Sequence, residues 1–229
     1  MTRHLTLART AGVLYLLLAL LGSWAHLVAR GTVHVPGDAA ATTAAIVEHE
    51  QLFRLSLAAD ILMATVFVLL GLTLYRLLDD VHRRAATALL VFVAVGASSI
   101  LANLTFHVGA LITATTPGYD DATTLLLLDL HAHGYVLGGI FFGLWLLPMG
   151  YAAIRTSLFP TWLGVLLVAG SVAWVLDPVL AYGLTDTPAV VTGTLAVVTS
   201  VAELTLIGYL LVRGVRRATP VTRTPQPVR

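Results

Sequence analysis

Four carboxylates stand inside long apolar runs of this chain: Asp60, Asp129, Asp177 and Glu203. A charged side chain at the centre of a hydrocarbon layer costs roughly 2.5–3.5 kcal/mol on insertion scales, so each needs a partner, a proton or a water-filled cavity. Imidazoles accompany them. His133 follows Asp129 by one helical turn, and His107 follows Asn103 by the same spacing. Two chemistries use such a set. Neutral imidazoles and carboxylates (His107, His133, Asp129, Asp177) could hold a Zn²⁺ whose open position activates water. No HExxH pair is present, so metal dependence and any other cofactor stay undetermined. The second is proton chemistry, in which a carboxylate set among apolar residues, as Glu203 is, acts as a general acid or a proton-coupling group.

The elements that carry these groups are membrane helices. Of 229 residues 58% are hydrophobic and 11% charged, with a mean hydropathy of +0.89. The apolar residues come in unbroken blocks with neither heptad nor alternating period, which argues for spans rather than a soluble core. The blocks cover approximately residues 11–29, 54–78, 86–112, 125–154, 161–184 and 190–212. Each approaches or exceeds the roughly 20 helical residues that a 30 Å hydrocarbon core requires. The fold expected is therefore an all-α integral membrane bundle of six transmembrane helices. Its lipid bilayer is the first partner expected. A net charge of +1 and the lack of a basic stripe argue against nucleic acid. Cysteine is absent, which excludes disulfides and thiol chemistry.

All thirteen basic residues are arginines, and their placement sets the orientation. With both termini in the cytoplasm, eleven lie inside and two, Arg30 and Arg54, lie outside; inverting the protein inverts the split. The reading is a bacterial plasma-membrane protein with cytoplasmic N- and C-termini. The apolar run after Arg3 and Arg9 imitates a secretory leader, but Trp24 at the would-be cut site fits poorly and the run is read as a retained first span. Asp38 opens an extracytoplasmic amphipathic helix over 39–53 that runs into the second span, with Glu50 and Arg54 at i, i+4. Residues 1–217 form a single six-helix membrane domain, and the Pro/Thr-rich 218–229 is a disordered cytoplasmic tail.

Depth and helical phase sharpen the polar pattern. At about 1.5 Å per residue, His26, Asp60, His107 and Asp129 fall roughly 5–8 Å below the outer boundary. Asn103, His133 and Asp177 fall roughly 10–14 Å down, and Glu203 lies alone at roughly 20 Å. Such layering suggests a pocket open to the outer side. Ser99, Asn103 and His107 share a face, as do Asp129 and His133. His131 points the other way, with Gly134 and Gly138, and reads as an interhelical hydrogen-bonding group on a close-packing face. Trp174 and Asp177 share a face, and Pro178 removes the hydrogen bond to the Trp174 carbonyl. Asp60 is expected to pair with Arg54 or with a neighbouring helix.

The segments HEQLFRLSLAADILM (49–63), LYRLL (74–78), HGYVLGGIFFGLWLLPMGY (133–151), FPTWLGVLL (159–167) and AELTL (202–206) resemble the bacterial domain-of-unknown-function family 4386, over about residues 8–217. The resemblance implies a multi-pass membrane protein, supplies no activity, and points to Arg54, Asp60, His131 and Glu203. The function expected is an outward-opening pocket lined by Asp129, His133 and His107, with Glu203 at its floor. Asn103, Asp177, Trp174, Arg54, Asp60 and His131 are the further candidate contacts. Such a pocket would bind or act on a small amphiphile or lipid by acid/base chemistry. The alternatives are a proton-coupled transporter and a structural or accessory subunit.

Overall fold

The computed structural model describes residues 2–216, and the tail expected at 218–229 lies outside that range. The elements in order are α1 (Thr2–Ser23), a π-helical turn (Trp24–Arg30), α2 (Gly31–Val33), α3 (Ala39–Glu48), α4 (Glu50–Thr115), α5 (Asp121–Leu144), α6 (Leu146–Arg155), α7 (Thr161–Gly183) and α8 (Ala189–Val212). The described residues contain no strand. Five helical stretches are long and apolar enough to cross a membrane: Arg3–Val33, Glu50–Thr115, Asp121–Arg155, Thr161–Gly183 and Ala189–Val212.

The second of these is two passes. Its 66 residues greatly exceed the roughly 20 that one crossing needs, and the backbone leaves helical geometry at His82 (φ −152°, ψ 75°). His82 then starts the second arm as a cap, its Nδ1 accepting the Ala85 N–H at 3.2 Å. The arms fold back as a hairpin. Gly71 meets Val93, Gly96 meets Phe67, and Phe53 stacks on His107, pairs that step outward on both sides of the break. Six membrane passes result, as the apolar blocks imply.

The segment before the second span is not continuous. It breaks at His49 (φ −110°, ψ 34°), so α3 turns across the helix ends. Asp38 caps α3 through the Ala41 N–H at 2.9 Å, and α3 buries only Thr42 and Ile46. Asp120 caps α5 in the same way. Hydrogen bonds from the Thr123 hydroxyl and backbone N–H hold its carboxyl below the usual carboxylate range.

A large apolar core fills the end of the bundle remote from α3, where Leu74, Leu77, Leu146, Met149, Leu206 and Leu210 are fully buried. A smaller cluster of Val33, Ile46, Phe53, Ala110, Leu111 and Leu128 closes the α3 end. Small residues set the helix spacing. A Cβ on Gly143 would lie 2.3 Å from Trp174 Cβ, and one on Gly134 would lie 1.9 Å from Asn103 Oδ1. Gly138, on the face where close packing was expected, borders open space.

At the α6–α7 crossing Gly150 and Gly164 meet backbone to backbone. A Cβ on either would stand 2.8 or 2.7 Å from the other's carbonyl oxygen, and a backbone cannot give way as a side-chain tip can. Gly164→Ala is expected to destabilise by about 1–3 kcal/mol through overpacking, whereas Gly138→Ala leaves stability nearly unchanged. Thermal denaturation in detergent checks the pair, and equal melting of the two variants would refute the close crossing.

Candidate functional site

The wide π-helical turn re-phases the first pass beyond Ser23 and buries Ala25, Ala29 and Arg30 on one side. Arg30 is 5% exposed and Asp60, on the first arm of α4, is 0% exposed. Arg30 Nη1 donates to Asp60 Oδ2, and Tyr135 of α5 donates its hydroxyl to Asp60 Oδ1 at 2.9 Å. The guanidinium also lies over the Tyr135 ring, 5.3 Å from its centroid. Three passes thus meet at one carboxylate. Arg54, the other partner considered for Asp60, is instead bound to Glu50 on the exposed face at 2.6 Å.

Two buried histidines adjoin this pair. His107, on the second arm of α4, stacks on Phe53 at 3.9 Å between centroids and donates Nε2–H to the Phe53 carbonyl at 3.2 Å. His131 of α5 donates Nδ1–H to the Asn103 carbonyl at 3.2 Å, while Asn103 Nδ2 donates to the His131 carbonyl at 2.9 Å. The reciprocal bonds bind the second arm to α5, and Gly134 makes room for the amide. The His131 ring stands edge-on to His107 and to Tyr135, 5.2 Å from each. Asp60, His107 and His131 each offer a ligand atom, and these atoms lie within 4.8 Å of one another.

Tyr135 also forms a wall of a cavity of about 490 Å³ between α1, the first arm of α4, α5, α7 and α8. Its lining is mostly apolar (Leu18, Met63, Phe67, Val136, Ile207), with His26, Asp177 and Glu203 as the ionisable groups. Trp174 lines it too and donates Nε1–H to Glu203 Oε1 at 2.6 Å. The buried Tyr15 hydroxyl is within electrostatic reach of the same carboxylate. Glu203, Trp174 and Asp177 are therefore brought together.

Asp129 and His133 lie elsewhere. Asp129 is bonded to His34 at 2.8 Å and His133 to the Tyr182 hydroxyl at 2.8 Å, both in partly or largely exposed settings. Neither lines the cavity, nor does His107, which belongs to the buried cluster. Among the described residues the metal-type donors that converge are Asp60, His107 and His131, without Asp129, His133 or Asp177.

The model of a family described as a domain of unknown function, DUF4386, matches residues 10–214. The chain belongs to this family. An uncharacterized protein of the archaeon Archaeoglobus fulgidus is 28% identical over 122 residues, covering 53% of this chain and 71% of the archaeal one. No solved structure matches. What this DUF4386 protein does must therefore be read from its own side chains.

Sequence reasoning passed over Arg30, Tyr135 and His34. The apolar run ends at Ala29 and a span boundary drawn there leaves Arg30 in a loop, yet His26 and Arg30 stand at i, i+4, and the helical path continues to Val33. That spacing was the available signal. Tyr135 sits four residues after His131 and shares its face.

Removing one partner of a buried ion pair strands the other charge, at a cost of about 3–5 kcal/mol. Arg30→Met and Asp60→Asn are each expected to lose that much stability, and the double variant to lose less than the sum. Chemical denaturation of the four proteins in detergent measures the coupling, and strict additivity would show that the pair is not energetically linked.

Proposed function

We propose that this protein resides in a plasma membrane with both termini in the cytoplasm, and that it binds a small amphiphile or lipid in the cavity ending at Glu203. The observation that carries the reading is the cavity's composition. A volume of about 490 Å³ is in the usual range for small-molecule sites. An apolar lining suits a hydrocarbon body, and Glu203, held by Trp174, suits a polar head or a transferable proton. Leu27 and Leu204 line the cavity and are largely exposed on the outer face of the bundle, so an amphiphile can enter sideways from the bilayer. Acid/base action on the bound molecule would fall to Glu203, with Asp177 and His26 in the same cavity. The sealed apolar core beyond Glu203, with Leu206 and Leu210 fully buried, weighs against passage through the bundle and so against proton-coupled transport.

Ser200 lines the cavity but is exposed, so a larger side chain there fills space without disturbing the core. Ser200→Trp and Glu203→Gln are expected to deplete the amphiphile that co-purifies, with melting preserved in Ser200→Trp. Mass spectrometry of organic extracts reads this out, and an unchanged complement in both variants would sink the proposal.

Orientation rests on the arginine count and is testable because the chain lacks cysteine. A cysteine at exposed Thr185 should react with a membrane-impermeant maleimide on intact cells, and one at exposed Arg83 only after permeabilisation. The opposite pattern would invert the protein.

A further inference from the structure

His107 and His131 are 0% and 1% exposed, and the nitrogen that each turns away from its carbonyl partner, Nδ1 of His107 and Nε2 of His131, has no hydrogen-bond partner. A carbonyl oxygen only accepts, so the bonds to Phe53 and Asn103 fix the tautomers. In the neutral rings the two remaining nitrogens are therefore bare lone pairs. A ring nitrogen committed to a backbone carbonyl, with the other left free to ligate, is the usual arrangement around protein-bound metals. Leaving such acceptors unmatched in a buried place costs about 1–3 kcal/mol each.

The third member is Asp60: it, His107 and His131 each place a ligand atom within 4.8 Å of the other two. Three acceptors converge. Asp60 already accepts from Arg30 and Tyr135, so a cation would share its remaining lone pairs while matching the two unpartnered imidazole nitrogens. Bonds of about 2.0–2.2 Å would bring the donors to about 3.4 Å apart, so the set has to close by little more than an ångström. We propose that Asp60, His107 and His131 bind a divalent transition-metal ion of the zinc class, a two-histidine, one-carboxylate set distinct from the Glu203 cavity and divided from it by Tyr135.

Arg30 tunes such a site. It neutralises Asp60, so a dication must share the carboxylate with a guanidinium, and binding is weaker than the three donors alone would give. Taking that charge away should tighten metal binding, which a purely structural polar cluster would not do.

The test uses the full-length protein in detergent, stripped with chelator and titrated with Co²⁺, whose visible absorption reports ligation. The result expected is one Co²⁺ per chain, displaced by Zn²⁺. His107→Gln and His131→Gln keep an amide N–H for the Phe53 and Asn103 carbonyls but lose the ligand. Each should weaken binding by more than about 100-fold, the most that loss of a supporting hydrogen bond alone costs. His4→Gln, remote in the first turn of α1, should change nothing. No Co²⁺ or Zn²⁺ bound by protein that melts normally would overturn the proposal, as would an unchanged titration in both glutamine variants. Should those variants fail to fold, Arg30→Gln decides: tighter Co²⁺ binding supports the site, and equal or weaker binding refutes it.

Discussion

The buried pairing of Arg30 with Asp60 constrains more of this molecule than any other contact. Neither charge can be left alone among apolar side chains, because the desolvation of each is repaid only by the other and by the hydrogen bonds around them. Three passes must therefore arrive together: the first, which supplies Arg30; the first arm of α4, which supplies Asp60; and α5, whose Tyr135 takes the second carboxylate oxygen and lies beneath the guanidinium. The π-helical turn before Arg30 belongs to the same requirement, since it re-phases the first pass where the arginine is buried.

Around that pair the polar groups divide into two sets. Next to Asp60 the rings of His107 and His131 are locked by backbone carbonyls, and Phe53 of the small apolar cluster at the α3 end stacks on His107. Across the Tyr135 ring the cavity opens, with Glu203 and Trp174 together in its lining. Tyr135 faces both: its hydroxyl holds Asp60 and its ring forms the cavity wall. A ligand in the proposed cavity and an ion at the proposed metal site would each bear on the same tyrosine. The core beyond Glu203 is apolar and tightly packed, so the polar chemistry is confined to the part of the bundle nearer α3.

Much of this was legible in the residues themselves. The apolar blocks specify six passes because a bilayer demands a fixed length of continuous hydrocarbon per crossing, a property of composition alone. Asp38 announces its helix start through local capping. Helical phase separated His131 from Asp129 and His133, and the structure buries the first while leaving the other two at partly or largely exposed positions. Trp174, Asp177 and Glu203, picked out separately on two helices, share one cavity. Arg30 escaped notice because a span boundary drawn where the apolar letters stop cannot register an arginine whose charge is cancelled 30 residues away.

Length, apolar content, helical phase and the distribution of arginine are local or additive properties, and from them the sequence by itself determined a six-pass helical membrane protein, its family resemblance and the set of polar residues that must be accounted for. Partnership is neither local nor additive. Which helix faces which depends on glycine contacts such as Gly134 with Asn103 and Gly150 with Gly164, and on a chain reversal concentrated at His82. Only the tertiary structure decided that Asp60 meets Arg30 rather than Arg54, that His107 and His131 converge on it while His133 does not, and that Glu203 is held by Trp174. A carboxylate in an apolar helix states that a partner is required; packing, through distances that no spacing rule contains, selects which one.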